Sequence, residues 1–254
     1  MSEFEAPVSQ PAPPALPAPF EPPPPPPPAP RPRVGPVVTI LLTIAVFIAY
    51  SIAQALGAFV GMMTPGSGSR LGLGLAIGTL LATPFGVLLT WGIARWQTDV
   101  PVREYLGLRW PTIGQAFLWT AALFAVGLGY EALSRWLDRP PLPDFMLEVF
   151  RSAVYPWLLW LAVVVAAPIV EEILFRGYLF EGLRRSRLGG LGAVLVTSLL
   201  FALPHVQYDL FDMSSILALG LVFGLARWHS GSIYLTIGLH VLANGLSMLQ
   251  MNDL

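Results

Sequence analysis

The length of the uncharged stretches constrains this chain more than any other feature. Between residues 37 and 93 the only formal charge is Arg70, and residues 152–170, 188–208, 213–226 and 228–252 carry none, with histidine counted as neutral. A helix needs about 20 predominantly apolar residues to cross the hydrocarbon of a bilayer. Several crossings are therefore required, and the expected fold class is all-α, a polytopic transmembrane helix bundle. Charged residues make up 11% of the chain, against roughly 25% in soluble domains. A soluble enzyme, a nucleic-acid binder and a secreted disulfide-stapled domain all fit poorly, and no nucleic-acid partner is expected. The absence of cysteine excludes thiol catalysis, thiolate metal sites and disulfides. A net charge of −1 carries no information about partners.

Residues 1–36 have a composition of their own, with sixteen of the 26 prolines, seven of them in an unbroken run from Pro22 to Pro28. Proline fixes φ and has no N–H to donate, so this stretch reads as a disordered, extended polyproline tail. It is expected to act as a spacer, with a proline-reading partner protein as the sharper alternative. A cleavable signal peptide is not expected, because the first five residues offer no basic segment and the first apolar block begins only near Val37.

The remaining 37–254 form one transmembrane domain. Seven apolar helices are expected at roughly 37–60, 71–94, 113–134, 155–183, 188–205, 213–227 and 232–249. Arginines in the connections divide nine to four if the N-terminus is cytoplasmic: Arg31, Arg33, Arg95, Arg103, Arg109, Arg184, Arg185, Arg187 and Arg227, against Arg70, Arg135, Arg139 and Arg151. The positive-inside rule then predicts a multi-pass protein of the cell membrane with its N-terminus cytoplasmic. The spacings Gly57…Gly61, Gly74…Gly78 and Gly220…Gly224 predict close helix approaches.

Ionisable groups inside such helices are costly and are functional candidates by default. Three clusters qualify. Glu171 and Glu172 follow nineteen uncharged residues, and Arg176 lies one turn beyond Glu172, where the two can pair. Glu171 is rotated by about 100° and has no local cation, which leaves it free for chemistry. Pro168, three residues earlier, cannot donate to the Val164 carbonyl and predicts a kink. The second cluster joins Phe201 to His205 across Pro204, and the third joins His240 to Asn244 on one helix face. His229, beside Trp228, reads as interfacial.

A carboxylate and two imidazoles in a wet membrane cavity fit three chemistries. They can activate water and stabilise an oxyanion, ligate a zinc ion whose bound water is acidified, or relay protons in a transporter. The residues alone leave hydrolysis and transport open. The chain contains no His-Glu-x-x-His, Gly-x-Ser-Gly or Gly-x-Gly-Asp motif.

Glu-Glu-x-x-x-Arg-Gly at 171–177, Phe-x-x-x-His at 201–205 and His-x-x-x-Asn at 240–244 occur in this order. Together they resemble the CPBP family, the CAAX proteases and bacteriocin-processing proteins, also called the Abi family. The resemblance covers the core at 155–250. It implies an intramembrane endopeptidase that cleaves membrane-associated, CAAX-like or peptide substrates with water activated by Glu and His. It implies Glu171 as the base, His205 as its assistant, and His240 and Asn244 as the groups that stabilise the oxyanion. Glu172, Arg176 and Phe201 take supporting roles. The family is commonly classed as metalloprotease, but a metal-free mechanism is also described for it. No obligatory cofactor is expected here; zinc or another divalent ion is the alternative, with Glu171, His205 and His240 as its ligands. The expected partners are the lipid bilayer and a peptide or membrane-tethered protein substrate. The competing readings are a non-catalytic scaffold or bacteriocin-immunity protein of the same fold, and a proton-coupled transporter.

Overall fold

The computed structural model describes residues 33–63, 70–140 and 142–252, so the expectation for the proline tail lies outside the described residues up to Pro32. Nine helices and no strand occur among the described residues. They are α1 (Pro36–Met62), α2 (Leu71–Gln97), α3 (Val102–Leu106), α4 (Ile113–Trp136), α5 (Asp144–Arg151), α6 (Pro156–Arg184), α7 (Gly189–Ala202), α8 (Leu210–Ser230) and α9 (Ile233–Asn252). Six of them, α1, α2, α4, α6, α8 and α9, are long and apolar enough to cross a membrane. The chain is thus a multi-pass helical membrane protein.

The fifth apolar block differs from the sequence expectation. It forms a helix of only 14 residues, and the expected 188–205 shrinks at both ends. Gly189 has a left-handed φ of 63° at its start, and Pro204 follows the last turn, so that His205 lies on a non-helical turn leading into α8. α8 begins three residues earlier than expected because Asp209 caps it, accepting the Asp212 N–H at 3.0 Å. The short helices α3 and α5 in the connections were not anticipated.

The glycine spacings act as close-approach points. A Cβ on Gly57 would lie 2.7 Å from the Cα of Gly78, and one on Gly61 would lie 2.7 Å from the Cα of Gly74. α1 and α2 are therefore an antiparallel pair in backbone contact. Arg33 closes their other end, pairing with Asp99 and donating its backbone N–H to the Gln97 carbonyl at 3.0 Å. Gly220 and Gly224 of α8 face Ser198 and Val194 of α7 in the same way. α4, opened by a Thr112–Gln115 capping box, packs at the rim against α8 and α9.

α6 is the most enclosed span and carries the core. Leu174, Phe175, Tyr178, Leu179, Phe180 and Leu183 are buried against α1, α3 and α7. Its helix is not uniform: Leu161–Ala166 and Ile173–Leu179 are wound as π-helix, with ordinary α turns between and around them. Pro168 lies in the short α stretch Ala167–Glu172 between the two π segments. In the i→i+5 register the Val163 carbonyl looks for the N–H of residue 168, which proline lacks.

Candidate active site

The two π segments flank the Glu171–Glu172 pair, so the extra residue in each turn sets which faces the carboxylates meet. Glu172 is enclosed completely and accepts from Arg176 Nη1 at 2.9 Å through Oε1. The same oxygen lies 3.1 Å from His240 Nδ1, and Thr236, one turn earlier on α9, adjoins the carboxylate. Glu172 therefore fixes the imidazole of His240 as well as its own cation. Such a pair is stable in hydrocarbon only because each charge neutralises the other. Arg176 further donates to the Gly220 carbonyl at 3.2 Å, and its guanidinium lies over Phe201 at 4.3 Å and Phe223 at 5.3 Å.

The other ring nitrogen of His240, Nε2, faces Glu171 Oε2 at 3.9 Å. The Glu171 side chain retains 21% exposure and accepts no hydrogen bond from any described residue. The expected pairing of Glu172 with Arg176 is present. The sequence did not reveal that His240 bridges the two carboxylates.

His205 arrives from the turn after α7. Its Nδ1 lies 3.0 Å from the Phe201 carbonyl, which orients the ring. The rings of His205 and His240 lie on Phe201, each with its centroid 5.5 Å away, so this buried phenylalanine sets the spacing of the two imidazoles. Asn244 is placed differently from the other three. Its Nδ2 donates to the Val163 carbonyl at 2.9 Å, the carbonyl that Pro168 leaves without a donor. The amide thus repairs the π turn and ties α9 to α6.

Two tyrosines absent from the sequence reading also border Glu171. Tyr50 of α1 is 4% exposed, and its hydroxyl makes no hydrogen bond of good geometry, with Thr83 as a polar neighbour. Glu171 is within electrostatic reach of it. Tyr208 stacks on His205 with a 17° interplanar angle. Burial, reinforced by the charges of Asp212 and Glu171, pushes its hydroxyl up to about 12, so it stays a neutral donor. A tyrosine three residues from His205 was a readable signal; a lone one in the aliphatic α1 was not. His229 is exposed and accepts from Trp119 Nε1 at 3.2 Å.

A metal would require three donors to meet. Among the described residues no group of three His, Asp or Glu side chains is gathered closely enough to hold one; Glu171 and His240 supply two. The residues present do not fit a three-ligand site, and no step below is routed through a metal.

A sequence profile described as type II CAAX prenyl endopeptidase Rce1-like matches residues 153–246, which contain all three motifs. An uncharacterized 24.3 kDa protein of Escherichia coli is 33% identical over 177 residues, covering 68% of this chain and 77% of that protein. No solved structure matches. With this profile over the motif-bearing core and a relative at that identity along most of its length, the chain belongs to the Rce1-like family.

Proposed function

We propose that the protein is an intramembrane endopeptidase in which Glu171 is the general base. The observation that carries this reading is a carboxylate near the middle of a membrane-spanning helix, without a hydrogen-bond donor among the described residues, facing His240 Nε2 at 3.9 Å. Such a group is tolerated in a membrane where water reaches it. Glu171 takes a proton from that water as the oxygen attacks the scissile carbonyl, and His205 orients the same water from the turn after α7. His240, as an imidazolium whose Nδ1–H is accepted by Glu172, meets the tetrahedral oxyanion with Nε2–H. Glu171 then passes its proton to the departing amine. Removal of a general base costs about 10²–10⁴ in rate. Asn244, with one amide hydrogen on Val163, has a second left for the oxyanion.

The family description and the site support substrates of the CAAX type or other membrane-tethered peptide segments entering from the side. The arginine distribution supports a cytoplasmic N-terminus in the cell membrane, with the His205 turn toward the opposite face. The test is cleavage of a peptide library, including prenylated CAAX peptides, by the full chain in nanodiscs, with Glu171→Gln and His205→Ala as controls and metal analysis of the same sample. Loss of cleavage in both variants, each still folded, is the expected result. Wild-type turnover by Glu171→Gln would overturn the reading.

A further inference from the structure

The arginine-rich face holds a second site unrelated to the carboxylate pair. It lies where α3, the end of α6 and the α8–α9 turn meet, around Glu181 on the C-terminal side of Glu171 in α6. A cavity of about 470 Å³ is lined there by Arg103, Arg109, Arg184, Arg185 and Arg227 together with Glu104 and Glu181. Five guanidiniums thus face two carboxylates, a formal excess of three positive charges.

One buried carboxylate serves most of them. Glu181, 3% exposed, accepts from Arg184 at 2.7 and 2.9 Å and from Arg185 at 2.6 Å, with Arg227 at 3.9 Å. Arg109 is held by the Ser230 carbonyl at 2.6 Å, and Arg103 has no ion pair among the described residues. The backbone is cleared for these groups. Gly107, with φ +73°, lies against Arg227, where a Cβ would come 2.5 Å from the guanidinium carbon; Gly231, with φ +66°, passes under Arg109, where a Cβ would come 1.7 Å from Nη2. Arg227 itself is 4% exposed. Guanidiniums held in fixed orientations around a cavity match the oxygen geometry of a phosphate.

A second, apolar groove of about 510 Å³ adjoins this cavity, lined by Leu118, Trp119, Leu225, Trp228 and His229. Trp228 is common to both. A soluble phosphate would occupy part of the first space and none of the second; a molecule with a phosphate head and an acyl chain would reach into both. The geometry points to a binding site for one anionic phospholipid, with its phosphate among Arg103, Arg109 and Arg184 and one chain between α4 and α8 along Leu118, Trp119 and Leu225.

The test uses the full chain, delipidated in a neutral detergent, with thermal unfolding followed against added phosphatidylglycerol, phosphatidylcholine, inorganic phosphate or glycerol phosphate. Phosphatidylglycerol is expected to raise the Tm saturably, and the other three are not. The double variant Arg103→Gln/Arg184→Gln should weaken phosphatidylglycerol binding by about tenfold or more. Leu225→Trp, which fills the groove and leaves every arginine in place, should weaken it as well and serves if the double variant fails to fold. An equal response to phosphatidylcholine, a full shift with inorganic or glycerol phosphate, or wild-type binding by both variants would overturn the proposal.

Discussion

Replacing Arg176 by methionine keeps a long apolar stem and removes one charge from a site with no exposure at either partner. Glu172 would then keep only the hydrogen bond to His240, its Oε2 already having no partner among the described residues. Breaking a buried pair from one side costs about 3–5 kcal/mol, and the stacking on Phe201 and Phe223 adds about 0.5–2 kcal/mol. A net loss of about 5 kcal/mol is expected, a factor of about 5,000 in the folding equilibrium. The double variant Glu172→Gln/Arg176→Met removes both charges, and replacement of both partners is far cheaper than removal of one. It should recover most of the loss, to within about 1–2 kcal/mol of wild type. Reversible unfolding in mixed micelles measures both values. A single variant costing under about 1 kcal/mol, or a double variant no more stable than the single, would refute the view that Glu172 is a buried, charge-balanced strut.

Glu171→Gln should lower peptide turnover by about 10²–10⁴ while its unfolding midpoint stays within the scatter of wild type, read by cleavage kinetics and thermal melting on one sample. Asn244→Ala should destabilise the protein by about 0.6–1.7 kcal/mol, the range for hydrogen bonds between membrane helices. In a Pro168→Ala background, where an N–H at position 168 can answer Val163, that cost should shrink toward zero; an undiminished cost would mean the amide is not repairing the π turn. Tyr50→Phe should leave stability nearly unchanged, since the hydroxyl has no hydrogen bond to lose, and should slow cleavage if that hydroxyl meets the water at Glu171. Asp209 is held below its usual range first by the Arg139 side chain and then by the Asp212 N–H. Its depressed folded value means that its contribution is present above about pH 4, the unfolded value, and is lost as pH falls through the lower folded one. Limited proteolysis of the 203–209 turn should therefore be constant from pH 5 to 8 and quicken only below about pH 4, and Asp209→Asn should be insensitive to this change.

The membrane architecture was legible because apolar block length is a direct measure of what a bilayer accepts. The clusters at Glu171, His205 and His240 were legible for the complementary reason, since a charge is conspicuous where few exist. Four features escaped. The shortness of α7 depends on Gly189 adopting a left-handed conformation and on where Pro204 stops the helix, and hydropathy sees neither. Asn244 shares a face with His240 at the i+4 spacing, but which carbonyl it meets depends on the π winding of another helix. Tyr50 is remote in sequence from everything it touches, and a single hydroxyl on an apolar helix gives no pattern to read. The arginine cavity, assembled from three separate connections, was visible only as a count for orientation, because nothing in the sequence says that Glu181 gathers them.

The brevity of α7 bears on how a tethered substrate gets in. Fourteen residues rise about 21 Å, some 9 Å less than a hydrocarbon core of about 30 Å. If α7 crosses the bilayer, lipids bordering it would have to dip, tilt or shorten to meet it, and a depression at its C-terminal end would lie beside the turn that carries His205 and Tyr208. Headgroups and the water they hold would descend there toward Glu171. A peptide anchored in the leaflet would then travel most of the distance with the lipid surface, and α7 would act as the ramp to Glu171.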